Sequence, residues 1–223
     1  MYKLFIKRLL DIVFSILLII LFLPIMFIIT ILVKFDVGKA IFIQKRSGKG
    51  NKPFNIYKFR TMDINNDVHD FKKEDMITKL GKILKRTSLD ELPQLFNILK
   101  GDMSFIGPRP WILDYSKYYT INQMKRLNVK PGLTGLAQCS GRNNLSIEEK
   151  INYDIEYVKN VSFKTDLKIF FLTIKTILKK EGVSTNKMTI KNELDELKNQ
   201  SCFTNITIYN KYKTISSSLE RKI

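Results

Sequence analysis

The feature that most constrains this chain is an apolar run over residues 9–33, LLDIVFSILLIILFLPIMFIITILV, in which Asp11 is the only charged residue. At about 1.5 Å per residue, a helix of this length measures roughly 37 Å, which exceeds the hydrocarbon core of a bilayer, about 30 Å. The run is too long for a signal-peptide core, and no A-x-A-like cleavage site follows it, since the first alanine is Ala40. We therefore expect the run to remain in the membrane.

The charges around this run argue against a simple crossing. Pro24, near its middle, has no amide to bond to the Ile20 carbonyl and favours a kink. Lysine and arginine near a membrane segment favour the cytoplasmic side, and they stand at both ends: Lys3, Lys7 and Arg8 before the run, and Lys34, Lys39, Lys45 and Arg46 after it. We expect residues 1–36 to form a re-entrant membrane helix with both ends in the cytosol. A kinked anchor that crosses once is the alternative.

Residues 37–185 are predicted to form a compact, mostly α-helical domain with a small β-hairpin. The stretch AIFIQKRSGKGNKPFNIYKFRTM, residues 40–62, is typical of two short strands around a Gly/Lys-rich turn. Apolar residues at i, i+3, i+4 and i+7 from Leu92 predict a helix over residues 88–100 that ends at Gly101. Further helices are predicted at residues 78–86, 111–127, 146–159 and 166–180.

The last of these helices and the tail beyond it differ in character. The helix over residues 166–180, with Asp166 as its expected N-cap, is apolar on one side and carries four lysines. This pattern favours a helix lying on the membrane surface; packing on the domain core is the alternative. Residues 186–223 are rich in Asn, Lys, Ser and Thr. They predict a polar, poorly ordered tail with one short helix near residues 191–199.

Charge and composition narrow the function classes. The formal net charge of +17 favours anionic partners such as nucleic acid, anionic lipid or phosphorylated substrates. The two cysteines, Cys139 and Cys202, form no CxxC motif, which excludes a disulfide framework and a zinc finger. His69 is the only histidine and stands in a polar run. A Ser-His-Asp or Cys-His mechanism would depend entirely on it, and we expect a solvated loop histidine instead.

Two adjacent carboxylates, Asp90 and Glu91, admit a structural and a functional interpretation. Ser88 and Glu91 form the S-x-x-E pattern of a capping box, in which Ser88 caps the helix and Glu91 reaches back to the Ser88 amide. Pro93 fits this interpretation badly, because at the fifth helical position it removes a hydrogen bond to Leu89.

The functional interpretation uses the chemistry of each carboxylate. An aspartate is ionised at neutral pH and needs no base to attack phosphorus, so Asp90 is a candidate nucleophile. Glu91 is a candidate Mg²⁺ ligand, since this hard cation prefers oxygen and accompanies phosphates. Phosphoryl transfer also needs cations. The candidates are Lys58, Arg60, Lys85, Arg86, Arg109 and Arg142. Pro108 and Pro110 fix the backbone on either side of Arg109.

The motifs FIQKRSG, FNIYKFRTM, SLDELPQLFNILKGDMSFIGPRP and KPGLTGLAQCSGRN, in this order after a basic membrane segment with a central proline, resemble the bacterial sugar transferases. More narrowly, they resemble the small monotopic phosphoglycosyl transferases, over about residues 1–185. The resemblance implies transfer of a sugar-1-phosphate from a UDP-sugar to undecaprenyl phosphate, with release of UMP, at the cytosolic face of the bacterial cytoplasmic membrane. That reaction begins the assembly of a surface glycan, such as a capsule, an exopolysaccharide or a glycoprotein glycan.

The resemblance also implies roles for residues. Asp90 attacks the β-phosphate and forms a phosphosugar-aspartate intermediate, Glu91 binds Mg²⁺, and Pro108, Arg109 and Pro110 shape the phosphate site. It implies a re-entrant N-terminal helix, membrane lipids and downstream glycosyltransferases as partners, and no nucleic acid.

Three positions depart from the family pattern. Leu23 stands where serine often precedes the helix-breaking proline, Leu136 replaces a tryptophan, and Lys85 replaces an arginine. Lysine lacks the bidentate geometry of arginine, so either Lys85 or Arg86 is the cation that contacts phosphate. A function from another class remains open, a membrane-anchored basic module that binds anionic lipid or nucleic acid.

Overall fold

The computed structural model describes residues 2–63, 77–141, 144–178 and 195–199. A single π-helical turn, Tyr2–Ile6, leads into α1, Lys7–Val37. The hairpin strands are β1, Ile41–Ser47, and β2, Pro53–Phe59, followed by α2, Lys79–Thr87, and a 3₁₀ turn, Leu89–Glu91. The remaining elements are α3 (Gln94–Lys100), β3 (Ser104–Ile106), α4 (Leu113–Ser116), a 3₁₀ helix (Gln123–Asn128), β4 (Gly132–Thr134), α5 (Leu136–Ser140), α6 (Ile147–Lys159) and α7 (Phe163–Leu178).

Helix α1 is long and apolar enough to cross a membrane, and it continues through Pro24. One face of α1 lies on the rest of the protein along its whole length. In its first half, Arg8 donates to the backbone carbonyls of Ile98 (2.6 Å) and Leu99 (2.7 Å). In its second half, Met26, Ile29 and Val33 are buried with Phe59 and Leu84. Both ends of α1 therefore contact one and the same domain.

Polar side chains fix the start of α1. The buried Asp11 carboxylate accepts hydrogen bonds from Ser104 Oγ (3.0 Å) and from the Phe105 amide (3.1 Å). Asp166, in the first turn of α7, accepts hydrogen bonds from Tyr2 Oη (2.6 Å), Lys7 Nζ (2.5 Å) and Tyr157 Oη (2.8 Å). Because buried charges need partners, these contacts specify how α1 docks.

The predicted hairpin is confirmed, and a second small sheet accompanies it. Strands β1 and β2 are antiparallel, with Ile41 opposite Phe59 and Ser47 opposite Pro53. Strands β3 and β4 form a parallel pair that the sequence did not indicate. Gly132 makes that pair possible, because a Cβ atom there would lie 2.1 Å from the Gly107 nitrogen.

Three local predictions were wrong. Residues 88–100 do not form one helix: Ser88 adopts a left-handed conformation (φ 58°) without a side-chain cap bond, and α3 begins only at Gln94, after Pro93. Residues 111–127 form the short α4 and a separate 3₁₀ helix. Asp166 is not the N-cap of the last helix, since α7 begins at Phe163 and the Asp166 carboxylate binds the start of the chain.

The predicted helices at residues 78–86 and 146–159 are confirmed as α2 and α6. In the predicted tail, residues 195–199 are helical, and Leu197 is buried against Ile147, Ile151 and Ile155 of α6. The rest of residues 186–223, like His69, lies outside the described residues.

The most buried ion pair joins Arg126, 1% exposed, and Asp154, 2% exposed. Arg126 Nη2 and Nε lie 2.6 and 3.0 Å from Asp154 Oδ2. The same guanidinium stacks on the Trp111 ring at 4.1 Å and donates to Tyr119 Oη (3.0 Å) and to the Arg109 carbonyl (2.8 Å). One side chain thus joins α6 to the loops on both sides of α4.

Asp154→Ala leaves the buried Arg126 charge without its carboxylate, and we expect the free energy of unfolding to fall by about 3–5 kcal/mol. Thermal or chemical unfolding of the full-length protein measures this. Asp114→Ala is the matched control, since its ion pair with Lys117 is exposed and should contribute little. Equal effects of the two substitutions would contradict the importance of the buried pair.

Candidate active site

The 3₁₀ turn Leu89–Glu91 presents the two adjacent carboxylates between α2 and α3. The left-handed Ser88 turns the chain at the end of α2, and Pro93 delays the start of α3. Proline has no amide to donate, so the chain forms a tight turn here instead of an extra α-helical turn. Asp90 is buried in this turn, with 8% of its surface exposed.

Glu91 lies between two cations from distant parts of the chain. Lys58 Nζ, on β2, is 2.6 Å from Glu91 Oε1, and Arg109 Nη2, in the loop after β3, is 3.5 Å from the same oxygen. Burial alone would raise the pKa of Glu91, but the charges and hydrogen bonds of Arg109 and Lys58 outweigh it and lower the pKa to about 2. Glu91 is therefore a carboxylate anion at any physiological pH.

Asp90 responds to its surroundings in the opposite direction. Burial raises its pKa, and the negative charge of Glu91 adds to this effect. The charges of Lys58, Lys85 and Arg109 oppose the shift without cancelling it. Two neighbouring carboxylates with pKa values moved apart are typical of sites in which each has a separate role.

The Gly-Pro-Arg-Pro loop is held by hydrogen bonds of its backbone, while half of the Arg109 side chain is exposed. The Arg109 carbonyl accepts the hydrogen bond from Arg126, and the Pro108 carbonyl accepts one from the Gly132 amide (2.9 Å). Pro108 and Pro110 are buried, whereas half of the Arg109 side chain is exposed. The loop thus directs a half-exposed guanidinium at Glu91.

The model of the family described as bacterial sugar transferase matches residues 2–180. This chain belongs to the bacterial sugar transferase family. It is 44% identical over 187 residues to the uncharacterized sugar transferase EpsL of Bacillus subtilis (strain 168), covering 82% of this chain and 93% of that one. It is 41% identical over 197 residues to the undecaprenyl-phosphate galactose phosphotransferase of Salmonella typhimurium, covering 80% of this chain and 41% of that one.

A third relative is the UDP-glucose:undecaprenyl-phosphate glucose-1-phosphate transferase of Caulobacter vibrioides, 39% identical over 185 residues, or 77% of this chain and 69% of the relative. Several relatives are longer, and this chain spans about two fifths of their length. The family resemblance stated from the motifs is confirmed.

The cations predicted for this sugar transferase differ in whether they act on the two carboxylates. Lys58 and Arg109 contact Glu91, and Lys85 acts on Asp90 through its charge. Within the described residues, Arg60 and Arg86 contact neither carboxylate. Arg60 stacks on the Phe42 ring (5.6 Å), and Arg86 is exposed on α2. Arg142 lies outside the described residues.

Arg46, on β1, belongs to this site of the sugar transferase although the sequence did not indicate it. Burial and the charge of Arg109 lower the pKa of Arg46 to about 10, and the Glu91 charge opposes the shift. Among the described residues, no group forms a hydrogen bond with its buried Nε–H. The alternation of exposed and less exposed side chains along β1 could have indicated Arg46. It leaves Lys45 exposed and places the next side chain, Arg46, on the less exposed face of the strand.

An apolar groove of about 720 Å³ lies beside α1. Its walls come from α1 around Pro24, from β1 and β2, and from the start of α3. Pro93, two residues beyond Glu91 in the sequence, is part of its lining. The other lining residues are Leu23, Pro24, Met26, Phe27, Thr30, Ile41, Tyr57, Phe59 and Phe96.

Glu91→Gln is expected to destabilise the protein in a pH-dependent way. The folded-state pKa of Glu91 is depressed from 4.5 to about 2, so its ionised form contributes stability above the unfolded pKa, and this contribution is lost as the pH falls through the folded value. The difference in Tm between wild type and Glu91→Gln should be constant from about pH 7 to 5 and narrow below about pH 4.5.

The control for this measurement is Glu156→Gln, which removes a carboxylate from an exposed position of α6. A Glu91→Gln difference that stays constant down to about pH 3, or one matched by Glu156→Gln, would contradict the assigned cation contacts.

Proposed function

We propose that this protein transfers a sugar-1-phosphate from a UDP-sugar to undecaprenyl phosphate and releases UMP. The observation that carries this proposal is the pair of adjacent carboxylates Asp90, which is buried, and Glu91, which contacts Lys58 and Arg109. The pair follows Leu89 and precedes Leu92, and both leucines pack against a buried cluster that includes α1 residues. Two of the relatives are named for sugar phosphate transfer to undecaprenyl phosphate.

The proposed reaction has two displacements at one phosphorus atom. A carboxylate oxygen of Asp90 attacks the β-phosphorus, a bond forms between them, and the bond to the bridging oxygen breaks, so that UMP leaves with the electron pair. The resulting phosphosugar-aspartate is an acyl phosphate. A phosphate oxygen of the lipid then attacks the same phosphorus, Asp90 leaves as a carboxylate, and the product is a lipid diphosphate sugar.

The roles of the two carboxylates follow from their surroundings. Glu91, with its depressed pKa, stays anionic and holds Lys58 and Arg109 in place, where they face the charge that develops on the phosphate oxygens. Asp90 makes no ion pair within the described residues, so its oxygens remain available for attack. The nearby Lys58, Lys85 and Arg109 favour its ionised form.

The chain offers donors for Mg²⁺ of the kind that substrate phosphates share. No cluster of three or more His, Cys, Asp or Glu side chains suited to a metal occurs among the described residues. One or two carboxylates plus substrate phosphates are the usual ligands of Mg²⁺, and Glu91 fits this role through Oε2, since Lys58 and Arg109 both contact Oε1. When bound there, the ion would neutralise charge on the diphosphate.

We further propose that the protein is monotopic, with a re-entrant α1 and the domain on the cytosolic face. The contacts of both halves of α1 with one domain support this, because a domain that contacts both halves of a helix crossing straight through the membrane would itself lie inside the membrane. Helix α7 supports it too, with an exposed apolar face and the exposed Lys164, Lys168 and Lys175. The apolar residues exposed on α7 are Phe163, Leu167, Phe170, Phe171, Ile174 and Ile177.

The groove along α1 is a suitable place for the isoprenoid chain of the acceptor, since it is apolar and is lined in part by Pro93, two residues beyond Glu91 in the sequence. A basic module that only binds anionic lipid would need neither the adjacent carboxylates nor the groove. The net charge of +17 instead adds membrane affinity to an enzyme.

Asp90→Asn removes the nucleophile, and we expect UMP release to fall by about 10³-fold or more. The measurement is UMP release and lipid-linked product from a panel of UDP-sugars with undecaprenyl phosphate. Mass spectrometry of wild-type protein quenched without acceptor should find the phosphosugar adduct on the peptide that contains Asp90. Asp114→Asn, at an exposed position, is the control. Full activity of Asp90→Asn would exclude the covalent mechanism, while unchanged vesicle binding by this variant is expected.

The topology is tested by single cysteines at Lys3 and Lys39, placed on either side of α1 in a background without Cys139 and Cys202. Both positions should react with a membrane-impermeant maleimide only after the cytoplasmic membrane of spheroplasts is opened. A periplasmic marker cysteine is the positive control for labelling of closed spheroplasts. Labelling of Lys3→Cys in closed spheroplasts would show that α1 crosses the membrane.

A further inference from the structure

The Arg46 guanidinium lies where its burial destabilises the folded protein unless an anion binds to it. Its Nε–H is buried and has no hydrogen-bond partner within the described part of the chain, although Nη2 donates to Gln44 Oε1. A buried donor left unsatisfied destabilises a folded protein. The feature therefore needs an explanation other than stability.

The neighbours of Arg46 indicate the kind of ligand. The positive charge of Arg109 is close enough to lower the pKa of Arg46, and the negative charge of Glu91 raises it. Glu91 is already shared by Lys58 and Arg109, so the cations around it outnumber its single charge. An anion that enters between Arg46 and Arg109 would relieve their repulsion and accept the free Nε–H.

Strand β1 and the Gly-Pro-Arg-Pro loop lie against each other at this point. Arg46 forms a β-bridge with Ile112, and the Ser47 amide donates to the Trp111 carbonyl (3.0 Å). Ser47, 2% exposed, has a hydroxyl without a hydrogen-bond partner among the described residues, and with Gly48, Pro108 and Arg109 it lines a small crevice. The Ser47 hydroxyl and the backbone of Arg46 therefore adjoin the loop that carries Arg109.

We propose that Arg46 is a substrate-binding residue of this site, which pairs with Arg109 to hold a phosphate group through its Nε–H. The inference rests on the proposed function for the identity of the ligand, a phosphate of either the UDP-sugar or the lipid acceptor. Arginine suits this role because its planar fork matches phosphate oxygens, which lysine does not.

The test compares Arg46→Met, Arg46→Lys and Lys45→Met in the full-length protein. Methionine keeps an unbranched apolar stem and removes the unsatisfied donor. Lysine keeps the charge and removes the fork. Lys45→Met is the matched control, since it removes one charge from the adjacent, exposed position of the same strand.

The first readout is binding of UDP by calorimetry, and the second is the KM for UDP-sugar and for undecaprenyl phosphate. For Arg46→Met we expect either the affinity for UDP to fall or the KM for undecaprenyl phosphate to rise, by about 10- to 100-fold, because a charge-assisted hydrogen bond is lost. The effect of Arg46→Lys on the same quantity should be smaller but still present. Lys45→Met should change neither by more than about 2-fold, because exposed charges are screened. Loss of UDP binding identifies the donor phosphates, and a rise only in the KM for the lipid identifies the acceptor phosphate.

Stability separates a binding role from a structural one. The Tm of Arg46→Met should equal or exceed that of wild type, because the substitution removes an unsatisfied buried donor. A large fall in Tm, or unchanged UDP affinity and unchanged KM values, would overturn the proposal. If wild type binds UDP and Arg46→Met does not, while wild type transfers no sugar phosphate, the proposed function fails and the role of Arg46 stands.

Discussion

The buried Arg126–Asp154 pair is the interaction on which the active-site geometry depends. A charge with 1% exposure requires a partner, and the guanidinium satisfies this requirement with α6, with Tyr119 and with the Arg109 carbonyl together. Each of these groups must therefore come to the same point. The last of them fixes the backbone of the Gly-Pro-Arg-Pro loop, and that loop places Arg109 against Glu91.

Helix α1 takes part in the same geometry. Arg8 binds the two carbonyls near the end of α3, where a helix has unsatisfied acceptors and a negative dipole end. Helix α3 follows directly from the carboxylates, and its Asn97 side chain binds the backbone of β2 on both sides of Ile56, through Tyr57 N (3.0 Å) and Asn55 O (2.7 Å). Strand β2 carries Lys58. The position of α1 is thus coupled to the position of Lys58 relative to Glu91.

The sequence predicted the parts of the site that stand in long motifs, namely Asp90, Glu91, Arg109 and Lys58, and it predicted the hairpin from its alternation. It did not predict the β3–β4 pair, which depends on a close approach of Gly107, just after β3, to Gly132, the first residue of β4. Nor did it separate Lys58 and Arg109, which reach Glu91, from Arg60 and Arg86, which do not. Such distinctions arise from tertiary contacts, and a charge in a motif looks the same whichever way its side chain turns.

The pattern S-x-x-E shows most clearly why local sequence rules do not predict the structure of this site. It occurs twice in the described part of the chain. At Ser146 and Glu149 the capping box forms, with both reciprocal hydrogen bonds present. At Ser88 and Glu91 it does not, because Ser88 is left-handed, Pro93 prevents a regular first turn, and Lys58 and Arg109 hold the Glu91 carboxylate. The favourable helix cap does not form here, and the Glu91 carboxylate instead contacts the cations of the site, Lys58 and Arg109.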